Sequence, residues 1–386
     1  MSLKLDVSTI SEEDKQKITS ELVFSKKETQ YNKGNIQMVY PYEIINHDIY
    51  LPFYYAVKIL KKERLPREYY SSMTAKFTSN LRPLQQEVKD EALKSLNKNG
   101  TCLLSLYCGA GKTILSIYLA CKIKLKTLIL ISRLVLVNQW KISILKVCPD
   151  AKIQILTTKS KIDPDADFYI MNAINVSKKE RNFYYNMGTL IVDEVHLIAT
   201  EILSKSLMYV LPRYSIALSA TPTRPDGMDA LIDVYWGPDR VSRKLYREHI
   251  AFKVNTGFEP EFSMGRTGRV DWNSVLESQC GNPERNELII KIVKYFKNRN
   301  FLILTKRIQQ GNFIIKRLEE EGEDVTSLIG VQKQFDFKSR ILVATIQKAG
   351  VGFDHPKLDS LILASDVEEY FIQYLGRIMR KEAKNE

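Results

Sequence analysis

From about residue 81 the chain alternates short apolar runs with amphipathic stretches. "TCLLSLY" (101–107), "TLILIS" (127–132), "IQILT" (153–157), "DFYIMN" (167–172), "TLIVDE" (189–194) and "SIALSAT" (215–221) are each bounded by polar or helical sequence. Short apolar runs separated by helical segments predict buried parallel strands with helices on both faces. A second series begins near 283: "NELIIKIVKYFKN" and "GNFIIKRLEEEGE" read as helices, while "NFLILT" (300–305), "RILVAT" (340–345) and "LDSLILAS" (358–365) read as strands. The link from "VTSLIG" to "RILVAT" is short, so a helix is expected to be missing there. The expected fold class is α/β, with two doubly wound parallel-sheet lobes over 81–235 and 283–386.

Two stretches fall outside this rhythm. Residues 1–80 are expected to form a small α+β accessory domain, and they carry the tyrosine-rich "MVYPYEIINHDIYLPFYYAVKIL". Those rings suit a small core or a stacking surface for exposed bases. Residues 236–282 read as an irregular basic linker or insertion. Across 236–310 there are 14 Lys/Arg against 8 Asp/Glu, and "MGRTGRV" (264–270) is a basic, glycine-containing loop. Both lean toward a nucleic-acid-facing surface.

Composition narrows the class. The 386 residues carry 57 Lys and Arg against 45 Asp and Glu, a net charge of +12 that suits a polyanionic partner. The five cysteines form no CxxC pair and indicate no zinc site; they read as reduced thiols of an intracellular protein. The start, "MSLKLDVSTISEEDKQK", has no apolar signal region, and no apolar run approaches a membrane span.

The chemistry is concentrated in two places. In "LYCGAGKTIL" (106–115), Gly109 and Gly111 let successive N–H groups curl toward phosphate oxygens between a strand and a helix. Lys112 then reaches the β- and γ-phosphates, and the Thr113 hydroxyl helps hold Mg²⁺. The strict GxxxxGK[ST] pattern fails, because position 106 is Leu. About 80 residues later "TLIVDEVH" ends an apolar strand on Asp193 and Glu194. Asp193 suits the metal, and Glu194 suits polarisation of an attacking water. Together they predict NTP binding and hydrolysis.

In order and spacing, "GAGKT", "DEVH" and "SATPTR" (219–224) resemble the superfamily 2 helicases. "ILVATIQKAGVGFDHP" (341–356) is similar to their motif V and "QYLGRIMR" (373–380) to motif VI. "LRPLQ" (81–85) is similar to their adenine-reading motif, "SRLVLVNQW" (132–140) to motif Ia, and "YIMNAINV" (169–176) to the motif Ib/Ic region. The resemblance covers residues 81–386. The DEVH box and "TRPDGMDALIDVYWGP" are similar to XPB-type and UvsW-type DNA helicases. "HPKLDSLILASD" with "QYLGRIMR" resembles most the helicases of large cytoplasmic DNA viruses, including the poxviral transcript-release helicase and its asfarvirus relative.

The resemblance implies two RecA-like lobes that use ATP and Mg²⁺ to move along nucleic acid, DNA being favoured and RNA possible. It places Gln85 at the adenine, and Cys108, Gly109, Ala110, Gly111, Lys112 and Thr113 around the phosphates. Gly352 and Asp354 fall near the ribose, and Gln373 falls near the nucleotide. Arg377 and Arg380 are implied as arginine fingers acting from the second lobe, beside Lys112 and Glu194. Arg133, Asn172 and Thr345 are implied nucleic-acid contacts, with His196, Ser219 and Thr221 relaying nucleotide state. Tyr374 stands where many relatives carry Arg. A further strand is expected after motif VI, so a chain stopping six residues past Arg380 suggests a truncated or minimal second lobe. The alternatives are an RNA helicase, a remodeller of protein–DNA or transcript complexes, and a clamp built on a dead helicase. Transcription or replication proteins are the implied further partners, and the viral branch implies the host cytoplasm or virion.

Overall fold

In the computed structural model the described residues are all but 26–37, 199–200, 221–227, 245–248, 266–267, 333–334, 350–354, 356, 366–370 and 380–386, and side chains are also set aside at 201–203 and 372–373. The chain opens on β1 (Ser2–Asp6), α1 (Glu12–Glu21), a short antiparallel pair β2 (Phe24–Ser25) and β3 (Met38–Val39), then β4 (Glu43–Ile45) and β5 (Asp48–Pro52). β1, β5 and β4 form an antiparallel sheet, and Ser11 caps α1 by accepting from the Asp14 amide at 3.1 Å. Half the rings of the tyrosine-rich stretch are core: Tyr50, Phe53 and Tyr55 are buried, Tyr42 and Tyr54 are half-buried, and Tyr40 is exposed. Met1, Tyr50 and Phe53 share one apolar cluster with Leu103, Leu190 and Trp236. The accessory segment therefore packs into the core of the lobe that follows it.

That lobe begins with α2 (Pro83–Asn99), β6 (Thr101–Leu106), α3 (Lys112–Ile123), β7 (Thr127–Ile131), α4 (Val135–Val147), β8 (Ile153–Leu156) and β9 (Phe168–Asn172). It continues with β10 (Thr189–Val192), α5 (Val195–Ile198), α6 (Glu201–Leu207), β11 (Tyr214–Ser219), α7 (Asp229–Trp236) and β12 (Arg240–Arg243). The seven strands form one sheet in the order β12-β6-β11-β10-β7-β9-β8, and every pairing is parallel. All residues of β7 and β10 are buried, as expected for strands covered on both faces. Asp167 anchors the approach to this sheet. Its carboxylate accepts from the Thr74, Ala75 and Lys152 amides at 2.6, 3.2 and 3.0 Å.

The chain divides into two compact units, 1–244 and 245–386. The segment 236–282 is shared between them: β12 closes one edge of the first sheet, and 249–281 belongs to the second unit. There an antiparallel bridge pairs Met264 with Val270, before α8 (Trp272–Gly281). α9 (Pro283–Tyr295), β13 (Phe301–Thr305), α10 (Ile308–Glu320), β14 (Val325–Leu328), β15 (Ile341–Thr345), α11 (Ile346–Ala349), β16 (Ser360–Leu363) and α12 (Phe371–Ile378) follow. The four strands pair in parallel in the order β14-β15-β13-β16. Phe301 and Ile303 pack beneath α9 and α10, while Leu302 and Leu304 pack with Tyr374 on the opposite face. This period of two, buried on both sides, is why the strand reads as an unbroken apolar run. Among the described residues no helix lies between β14 and β15, and no helix is long and apolar enough to cross a membrane.

Candidate nucleotide and nucleic-acid site

Five motif-bearing strand ends of the first unit stand side by side. At the carboxyl ends of β6, β11, β10, β7 and β9, in that spatial order, the chain presents the phosphate loop, Ser219, Asp193 with Glu194, Arg133, and Asn172. Neighbouring strands lie about 4.8 Å apart, so β6 and β10, with β11 between them, are separated by about 10 Å. Ligands of open parallel sheets gather at such carboxyl ends.

The loop after β6 is built for close approach of an anion. Gly109 and Gly111 have φ of 87° and 84°, which a side chain rarely adopts, and Gly111 caps α3. A Cβ on Gly111 would sit 2.3 Å from both Arg82 Nη2 and Gln85 Nε2. Gln85 is buried; its Nε2 donates to the Gly111 carbonyl at 3.1 Å, and its Oε1 accepts from the Arg82 amide at 2.8 Å. Arg82 Nη2 donates to the Gly109 carbonyl at 3.1 Å. Arg82 stands within "LRPLQ", yet no local spacing singles it out, because an arginine side chain has no acceptor with which to cap a helix. Lys112 Nζ bends back onto the Leu106 carbonyl at 2.9 Å. Its ammonium thus rests on the carbonyl of the last residue of β6. Thr113 is half-buried on the first turn of α3, Cys108 is partly exposed and Ala110 is buried.

The acidic pair follows β10. Burial and the neighbouring Glu194 push the Asp193 carboxyl up from the ordinary range, while a hydrogen bond from Trp140 and the Lys112 charge act in the opposite direction. Trp140 Nε1 donates to Asp193 Oδ2 at 2.9 Å, a partner 53 residues away that no local spacing announces. Two adjacent carboxylates that resist joint ionisation are oxygen donors of the kind a hard divalent cation takes. Glu194 has φ of 48°, and its Oε2 lies 3.5 Å from His196 Nδ1. That same nitrogen is 3.0 Å from Ser219 Oγ, so a buried contact ties the DEVH segment to β11.

Further along the row, Arg133 is exposed after β7. Asn172 caps the next turn by accepting from the Ile174 amide at 3.1 Å, and its Nδ2 is 3.5 Å from the Ser132 carbonyl. In the second unit Thr345 ends β15, largely buried, and Arg377 lies largely buried in α12. Tyr374 is core: it is buried among Leu302, Leu342 and Ala344, and its hydroxyl donates to the Ile346 carbonyl at 3.2 Å. Thr221, Gly352, Asp354 and Arg380 lie outside the described residues, as does the Gln373 side chain.

Comparison with known proteins agrees with this geometry. Residues 78–224 match the family described as the res subunit of type III restriction enzymes. A protein of Invertebrate iridescent virus 6 named as a helicase, 161L, is 40% identical over 411 residues, covering 100% of this chain and 92% of its own. The transcript termination protein A18 of Yaba-like disease virus is 28% identical, over 78% of this chain and 70% of its own. Among solved structures, S. cerevisiae Dbp5 bound to RNA and ADP BeF3 superposes with a TM-score of 0.51 at 13% identity, over 77% of this chain and 84% of that one. At that identity the likeness is one of fold.

Proposed function

Because this chain belongs to the superfamily 2 helicases, we propose that it is a motor that hydrolyses ATP and moves along a strand of DNA. The observation that carries this reading is the row of strand ends. The residues we assign to the nucleotide follow β6 and β10, those we assign to the strand follow β7 and β9, and the contact from His196 to Ser219 joins β11 to the DEVH segment.

The residues divide the work as follows. The amides of 109–113 hold the phosphates, and Lys112 leaves the Leu106 carbonyl for them. Arg82 and Gln85 hold the loop open from behind. Thr113 and Asp193 would hold Mg²⁺, which draws charge from the phosphate oxygens. Glu194 takes the proton from the attacking water as the bond to the γ-phosphorus forms and the bond to the leaving phosphate oxygen breaks. Arg377 and Arg380 supply cations to the same phosphates. Gly352, Asp354 and Gln373 act near the nucleotide, Thr345 with Arg133 and Asn172 on the strand, and Thr221 with His196 and Ser219 in coupling.

ATPase turnover measured with single-stranded DNA, duplex DNA and RNA at one salt concentration tests the reading. Stronger stimulation by DNA is expected; stronger stimulation by RNA contradicts the substrate choice. The similarity to a transcript termination protein favours a second reading, in which the motor displaces transcripts without separating strands. Unwinding of a tailed duplex beside displacement of a triplex separates the two.

A further inference from the structure

A cleft of about 400 Å³ opens between the N-terminal sheet and residues 173–185 of the first unit. Tyr50, Lys178, Lys179, Arg181, Tyr185 and Tyr209 line it. Arg181 fixes its walls: the guanidinium carbon lies 4.3 Å from the centres of both the Tyr50 and Tyr209 rings, and Nη2 is 2.5 Å from Glu43. The two lysines are held differently. Lys178 Nζ donates to Asn175 Oδ1 at 3.1 Å, and Lys179 Nζ donates to the Ser160 carbonyl at 2.7 Å. Among the described residues neither ammonium is paired with a carboxylate. Tyr185, 42% exposed, presents a ring beside them.

The cleft lies on the crossover that leaves the row described above, with Tyr185 and Tyr209 a few residues ahead of the amino ends of β10 and β11. The 3-10 segment Ala173–Lys178 starts on Asn172, which caps it. At roughly 2 Å per residue, its six residues keep Lys178 within about 12 Å of that strand end. We propose that this cleft is a second contact for the nucleic-acid strand, with phosphates on Lys178 and Lys179 and a base stacked on Tyr185. An exposed ring beside two ammoniums, in a cleft where Lys178, Lys179 and Arg181 outnumber the one lining carboxylate, Glu180, matches the alternation of base and phosphate along a single strand. A purely acidic peptide would use the lysines and leave the ring without a role. The inference rests on the reading that the chain is a nucleic-acid motor, and it gives the N-terminal extension a part in that function.

The test is fluorescence anisotropy of the full chain with labelled oligothymidylate and oligouridylate across a salt series. Lys178→Ala is expected to weaken binding and make the slope of log affinity against log salt shallower by about 0.7, one phosphate contact on a single strand. Lys178→Arg, which keeps the charge, is expected to retain the slope. Tyr185→Ala is expected to weaken binding roughly tenfold with the slope unchanged, the signature of lost stacking. Both residues are exposed, and the variants are expected to keep the wild-type melting temperature. Wild-type affinity and slope in both Ala variants overturn the inference and leave the motor reading standing. Weakened binding confined to polyglutamate also overturns it, in favour of an acidic protein partner. A wild-type chain that binds neither oligonucleotide overturns both.

Discussion

Glu194 sits in the left-handed region at φ 48°, where a non-glycine residue costs about 1–2 kcal/mol per position. It is followed at once by α5, whose Leu197 amide donates to the Glu194 carbonyl at 2.8 Å. Backbone strain held at a site of paired carboxylates accords with a residue placed for chemistry rather than packing. Glu194→Gln keeps the shape and removes the base. It is expected to retain ATP binding while turnover falls by about 10²–10⁴; phosphate release at the wild-type rate would remove Glu194 from its role. Gly111→Ala probes the loop from the other side. A methyl group 2.3 Å from both Arg82 and Gln85 must displace both. ATP affinity, read by equilibrium titration, is expected to fall by at least about tenfold, equivalent to about 1.4 kcal/mol.

At the scale of elements, two pins outside the site carry predictions of stability. Asp167 is buried and accepts three backbone amides from two segments. Hydrogen bonds to a buried carboxylate are worth about 1.5–3 kcal/mol each. Asp167→Ala, which leaves those amides unsatisfied, is expected to lower the unfolding free energy by about 3 kcal/mol or more in denaturant titration. In the second unit His355 is buried and stacks on Phe335, with Phe337 tilted against it. Burial, and then the Lys357 charge, hold its imidazole below the ordinary value of 6.5. The unfolded chain therefore takes up a proton first, and stability falls as pH drops below about 6.5 toward the folded value. His355→Leu is expected to flatten that acid loss of melting temperature; an unchanged pH profile would assign the loss to other groups.

These elements also mark what the sequence makes legible. The apolar strands stand within a residue or two of their runs, because strands buried on both faces leave no polar positions to blur their ends. β12, "RVSR", escaped into the linker reading because an edge strand need bury little: only Val241 is buried along it. Arg82 is hidden because its guanidinium bonds to the Gly109 carbonyl, 27 residues away, which local spacing does not announce. Trp140 lay in a quoted motif, but its bond to Asp193 spans 53 residues and depends on the packing of α4 over the sheet. Tyr374 reads as a lost cation and turns out to be a core ring of the second unit. Long-range partners of this kind are set by topology, which local spacing does not encode.

At the scale of the whole molecule the claim is coupling: nucleotide bound at β6 and β10 changes how the chain holds a strand. Coupling of binding is reciprocal, so ATP must alter affinity for the strand by the same factor as the strand alters affinity for ATP. Glu194→Gln, which is expected to hold ATP without consuming it, makes both sides measurable at equilibrium. The most direct measurement is the dissociation constant of a labelled single strand from this variant, with and without saturating ATP and Mg²⁺. The two constants are expected to differ, and the ATP affinities measured with and without the strand are expected to differ by the same ratio. A strand affinity indifferent to ATP would contradict the motor reading.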